Sequence, residues 1–130
     1  MSSWQELKTS LQTFAEVDEA DDDQIALTLP IRDGHTTREQ RVMVQRYHAW
    51  GVPMLEVRSA FGELRPGEEG ELLRRNLDLP LGSIAVHGDY LVLLYKGPMA
   101  ALTGDDALAL VMRVAELADV LEERRGGDRF

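Results

Sequence analysis

The chain of 130 residues has no cysteine, which removes disulfides, thiolate metal ligands and thiol nucleophiles together. It is also short of positive charge: fourteen Lys and Arg stand against twenty-three Asp and Glu, for a net charge of −9. Such a balance repels phosphate backbones and anionic lipid, so direct nucleic-acid or membrane binding is not expected. Aromatic residues make up only 6% of the chain and do not interleave with any basic stripe. No apolar run approaches 18 residues. The start Met1-Ser2-Ser3-Trp4-Gln5-Glu6-Leu7-Lys8 has neither the basic nor the apolar region of a secretion signal. A cytoplasmic location is the expectation.

What is present is ordinary for a globular protein: 44% apolar and 28% charged residues, enough to build one core. No stretch reads as a linker, an internal repeat or a low-complexity tract, so residues 1–130 are expected to form a single domain.

Ser3 and Glu6 have capping-box spacing, and Trp4, Leu7, Leu11 and Phe14 follow at helical intervals, predicting a first helix of about three turns. Asp18 to Asp23 reads as a solvated acidic loop. Ile25, Leu27, Leu29 and Ile31 alternate at period two, the pattern of a strand with one face inward. Turns at Asp33-Gly34 and Trp50-Gly51 separate this strand from Arg41–His48 and Met54–Phe61, a three-stranded meander. A short helix follows Pro66-Gly67, with Glu68, Glu69 and Glu71 at its electropositive start and Leu72, Leu73, Asn76 and Leu77 on one side. Gly88-Asp89 suits a two-residue hairpin turn between Ser83–His87 and Tyr90–Tyr95. Thr103 and Asp106 cap the longest helix, whose apolar stripe is Ala107, Leu110, Val111, Val114, Leu117, Ala118 and Leu121, and Gly126-Gly127 ends it. The fold class is α+β: one antiparallel sheet of about five strands with helices packed on it, in the order α-β-β-β-α-β-β-α.

The chemistry-bearing residues fall in places with simpler explanations. His35, His48 and His87 occupy a turn, a strand end and a hairpin edge, without the helical pairing of a metal site. The acidic run lacks the alternating ligands, glycine and late glutamate of an EF-hand. No nucleophile elbow, Ser-x-x-Lys or phosphate-cradling glycine loop is present. Neither a metal nor a cofactor is expected, and the chain reads as a non-enzyme.

Glu71-Leu72-Leu73-Arg74-Arg75-Asn76-Leu77 followed by Gly82-Ser83-Ile84-Ala85-Val86-His87-Gly88-Asp89-Tyr90-Leu91-Val92-Leu93 resembles the heart of the type III secretion chaperone-like superfamily, in which a Leu-Leu-x-x-Asn helix precedes a hairpin. Ala115 to Glu122 looks like the C-terminal helix of its YbjN-like branch. The resemblance spans nearly the whole chain. It implies a bacterial, homodimeric protein that holds an extended client segment without a cofactor; because YbjN-like relatives occur without a secretion apparatus, it does not imply export.

The expectation is therefore a non-catalytic, chaperone-like adaptor that captures another protein, with a basic or nucleic-acid-binding client favoured by the acidic surface. Leu72, Leu73, Asn76 and Leu77 are the candidate dimer residues, where Asn76 either fixes the register or simply sits in a last helical turn. Trp4, Leu7 and Leu11 are candidates for client contact, unless that stripe covers the sheet. The alternative is a non-catalytic regulator that senses a small ligand.

Overall fold

Period-two alternation dominates the middle of the chain and becomes long regular strands. The computed structural model describes residues 4–126. Among these the order is α1 (Trp4–Phe14), β1 (Glu16–Ala20), β2 (Gln24–Asp33), β3 (Thr36–Ala49), β4 (Val52–Glu63), α2 (Glu69–Arg75), β5 (Ser83–His87), β6 (Tyr90–Pro98) and α3 (Gly104–Arg124). A 3₁₀ turn over Asn76–Asp78 extends α2, and another over Met99–Ala101 precedes α3. Ser3, one half of the expected N-terminal capping box, and residues 127–130 lie outside the described residues.

One six-stranded antiparallel sheet runs β1-β2-β3-β4-β6-β5. The strand count differs from the expected five because Glu16–Ala20, placed partly in an acidic loop, pairs with β2. Its carboxylates are tolerated because an edge strand leaves its side chains in water. Asp18 accepts a hydrogen bond from the Thr28 hydroxyl at 2.7 Å and lies 3.5 Å from Arg41 on the same face. Only Asp21–Asp23 remains as loop. Asp21 accepts from the backbone N–H groups of Asp23 and Gln24 at 2.8 and 3.0 Å, which holds its carboxyl below the usual carboxylate range.

Three two-residue turns set the register. Gly34 and Gly88 take φ of 62° and 64° at the first central positions of the β2–β3 and β5–β6 turns. At the β3–β4 turn both central residues are left-handed, Trp50 at φ 52° and Gly51 at φ 73°, as in a type I′ turn.

The inward face of the sheet carries Ile25, Leu27, Leu29, Val42, Val44, Leu55, Val57, Leu91 and Leu93, all buried. Leu7 and Leu11 of α1, Leu72 of α2 and Val111, Val114 and Ala118 of α3 join them in one core. The α3 capping box forms as expected: the Asp106 N–H donates to Thr103 Oγ1 at 3.1 Å, and the Thr103 N–H donates to Asp106 Oδ2 at 3.2 Å.

Ionic contacts made by two arginines, Arg38 and Arg125, fasten the C-terminal part of α3. Arg38 of β3 donates to the buried Asp119 carboxylate at 2.6 and 3.0 Å. Just past the last turn of the helix, Arg125 donates to both Glu68 oxygens at 2.9 and 3.0 Å and to the Glu63 carbonyl at 2.6 Å. Its guanidinium lies over Gly62, where a Cβ would come within 2.5 Å of Nε. The Arg125 guanidinium holds the Glu68 carboxyl down at about 2. These contacts draw the start of α2, the end of β4 and the end of α3 together.

Candidate interaction surface

The residues expected to meet a client turn inward. Trp4, Leu7 and Leu11 are buried in the chain's own core. The Trp4 indole N–H donates to the Asp22 carbonyl at 2.8 Å, and Lys8 Nζ donates to the Asp21 carbonyl at 2.7 Å. The α1 stripe thus covers the sheet and pins the acidic loop. Only Phe14, the last residue of the stripe, remains on the surface, 45% exposed.

The α2 residues divide. Leu72 packs into the core, whereas Leu73 and Leu77 are 68% and 89% exposed. A seven-residue helix has one apolar side only one residue wide, so consecutive leucines cannot both face the sheet. Leaving each exposed leucine in water forgoes about 1.5–3 kcal/mol of burial.

Asn76 is occupied by β5. The Ile84 N–H donates to Asn76 Oδ1 at 2.6 Å, and Asn76 Nδ2 donates to the Ile84 carbonyl at 3.5 Å. The side-chain amide therefore takes the place that a neighbouring strand's peptide group would fill. Parity explains why. His87 and Tyr90 flank the two-residue turn as a hydrogen-bonded pair, so pairs alternate back along β5, and Ile84 and Val86 direct their peptide groups away from β6. Asn76 meets the first of these outward groups and not the second.

Beside Val86 lies an apolar cleft of about 170 Å³ between α2 and β5, walled by Leu64, Leu72, Leu73, Ile84, Val86 and Leu91 with Glu69 at its rim. A second, open-sided groove of about 470 Å³ runs between the segment after α2 and the outer side of α3. Pro80, Leu81, Leu117 and Val120 form its walls, and Arg113 and Glu116 stand at its rim, paired at 2.9 Å. Of the exposed large apolar residues, Leu73, Leu77, Val86, Tyr90 and Val120 belong to this α2–β5–β6–α3 side of the fold. Trp50 and Val52 form a separate group at the β3–β4 tip.

His35, His48 and His87 are all exposed, in the β2–β3 turn, in β3 and at the end of β5. Among the described residues no group of three or more His, Asp and Glu side chains is placed to hold a metal ion, and no helix is long and apolar enough to cross a membrane.

Sequence reasoning found the leucine pair but missed the edge. Two signals pointed to it. Ser83–His87 carries no Asp, Glu, Lys or Arg, unlike Glu16–Ala20, and a polar amide sits eight residues before its second position. No protein-family model matches this chain, and no curated protein matches it.

Proposed function

We propose that this protein is a non-catalytic, self-associating adaptor that captures an extended segment of a client protein at the β5 edge. The resemblance to YbjN-like members of the type III secretion chaperone-like superfamily agrees with such a role. The observation that carries the reading is the coincidence at Val86: an outward peptide group, a half-exposed side chain and an apolar cleft meet at one residue. An incoming strand pairs with that peptide group and sends alternate side chains into the cleft. Glu69 at the rim, on a chain of net charge −9, favours basic residues next to the apolar one.

Self-association uses the exposed apolar surface that continues from Leu73 and Leu77 to the α3 groove. Leu72 and Asn76 act inside the protomer. The groove's open side suits a protruding side chain better than a small molecule, which needs most of its surface enclosed.

Binding is measured by fluorescence anisotropy with labelled peptides of alternating basic and aliphatic residues, alongside the same compositions in block order. Alternating peptides bind and block peptides do not. Val86→Pro removes the outward N–H without touching the β5–β6 hydrogen bonds, because proline is compatible with an edge position whose N–H faces solvent. Its expected effect is loss of peptide binding with the fold retained. Equal binding by wild type and Val86→Pro refutes the edge mechanism, and a monomer by light scattering at all concentrations refutes self-association.

A further inference from the structure

We propose that the β3–β4 hairpin tip of one copy seats its Trp50 side chain in the Pro80–Leu81–Leu117–Val120 groove of a second copy. The inference rests on the self-association reading above and names the contact that makes it.

Trp50 is 98% exposed and sits at φ 52°. A type I′ turn asks for Asn, Asp or Gly at this position, so a tryptophan here adds backbone strain. It gains no packing within its own chain in return. The tip also projects. The β2 pairing to β3 ends at Gln24↔Gln45, and the β6 pairing to β4 ends at Met54↔Pro98. From Tyr47 to Trp50 the hairpin therefore extends about 10 Å beyond both neighbours.

Charge selects a second copy as the occupant. Residues 46–55 contain no Asp or Glu, in a chain that has twenty-three. Lys96 at the base of the tip lies 5.7 Å from the Tyr47 ring and 3.6 Å from Glu56, so that pair leaves the base close to neutral. Two acidic copies repel over most of their surfaces, but this tip can approach the Glu116 side of α3 without that penalty. Size agrees: an indole buries about 150–250 Å², and the groove of about 470 Å³ is walled by aliphatic carbon. In the proposed pairing the guanidinium of Arg113, held at the rim by Glu116 at 2.9 Å, stacks on the indole face. Each copy carries one knob and one groove, so the proposed dimer is the two-fold arrangement in which the copies exchange tips.

The test uses sedimentation velocity on the full chain with two variants of exposed side chains, Trp50→Asn, which suits the left-handed turn, and Val120→Lys. Urea midpoints no lower than that of the wild type, taken at a dilution where every form is monomeric, show that both fold. Each is expected to weaken self-association at least about 30-fold, the scale of a central interface tryptophan. Mixed together, they are expected to associate again, because the intact tip of Val120→Lys fits the intact groove of Trp50→Asn. In the wild type the emission assigned to Trp50, by difference from Trp50→Asn, shifts to shorter wavelength as concentration rises. A wild type that stays monomeric overturns the self-association reading itself. A dimer unaffected by Trp50→Asn overturns only the knob, one unaffected by Val120→Lys overturns the groove, and failure of the mixture to associate overturns their pairing.

Discussion

Replacing Asn76 with alanine removes both partners of the Ile84 peptide group at once, leaving the rest of β5 untouched. The 2.6 Å bond from the Ile84 N–H is well formed, whereas the 3.5 Å contact to the Ile84 carbonyl lies at the outer limit and contributes little. An intramolecular hydrogen bond nets about 0.5–1.5 kcal/mol, and a buried donor left unmet costs about 1–3 kcal/mol. Asn76 is only half-buried, so water partly replaces it. The expected loss is about 1–2 kcal/mol. Asn76→Asp keeps the acceptor and gives up only the weak contact, so it should lose less than half as much. Urea unfolding gives the energies, and amide hydrogen exchange locates them: the Ile84 amide is protected in the wild type and Asn76→Asp, and exchanges rapidly in Asn76→Ala. Equal losses in the two variants, or an Ile84 amide still protected in Asn76→Ala, refute the view of Asn76 as a cap on the sheet edge. The same variant exposes a second outward peptide group next to Val86, so alternating peptides should bind it more tightly than wild type.

Gly82 stands at φ 68° with the Leu94 carbonyl oxygen 2.7 Å from where a Cβ would be, whereas Gly34 at φ 62° has nothing within 4 Å. Gly82→Ala is therefore expected to lose about 2 kcal/mol or more and Gly34→Ala about 1 kcal/mol, read as urea-midpoint shifts; equal shifts would show that the close approach to β6 does not matter. Arg38→Met leaves the buried Asp119 carboxylate without its bidentate partner and should cost about 3–5 kcal/mol. The double variant Arg38→Met/Asp119→Leu should recover a large part of that loss, and simple additivity would contradict the pairing. The Glu68 carboxyl is lowered from 4.5 to about 2 by Arg125, so its ionisation favours the folded state above pH 4.5 and that contribution disappears as pH falls from 4.5 through 2. In urea titrations the stability gap between wild type and Glu68→Gln should narrow over this window; a gap constant with pH argues against the Glu68–Arg125 clasp.

The turns were legible because each contains a glycine in the left-handed region, Gly34, Gly51 and Gly88, whereas the left-handed Trp50 beside Gly51 carried no such signal. The apolar alternation in β2 and β4 likewise declares its inward side. β1 escaped because Glu16–Ala20 offers a single aliphatic residue larger than alanine, Val17, and an edge strand needs backbone pairing more than side-chain burial. Arg38 is a different kind of miss. It shares the inward parity of Gln40, Val42 and Val44 in β3, so an inward-facing arginine was readable from the strand pattern. Its partner was not, since Asp119 lies 81 residues away and only the packing of α3 brings them together. The leucines of α2 show the limit of helical spacing on a short element. With fewer than two full turns before the 3₁₀ segment, periodicity groups Leu72, Leu73, Asn76 and Leu77 without saying which of them faces the core.

The two edges of the sheet are protected by different means, and the difference bears on which partner can approach. Along β1, Glu16, Asp18 and Glu19 repel acidic strands, and the register shift between Val17 and Glu19 breaks the flat ladder a partner would need. Along β5 there is no charge of either sign from Ser83 to Val86, and the closure comes from one asparagine contributed by another segment. A charged edge excludes by composition and cannot be switched without mutation. An amide cap excludes by occupancy, and a strand that supplies the same two hydrogen bonds can displace it at little net cost in hydrogen bonding. On the proposed reading, a client first pairs at the uncapped Val86 and then competes with Asn76 for Ile84. Segments without an outward N–H at the second position stop after the first step, so a proline placed there should reduce affinity to that of a peptide that reaches Val86 alone.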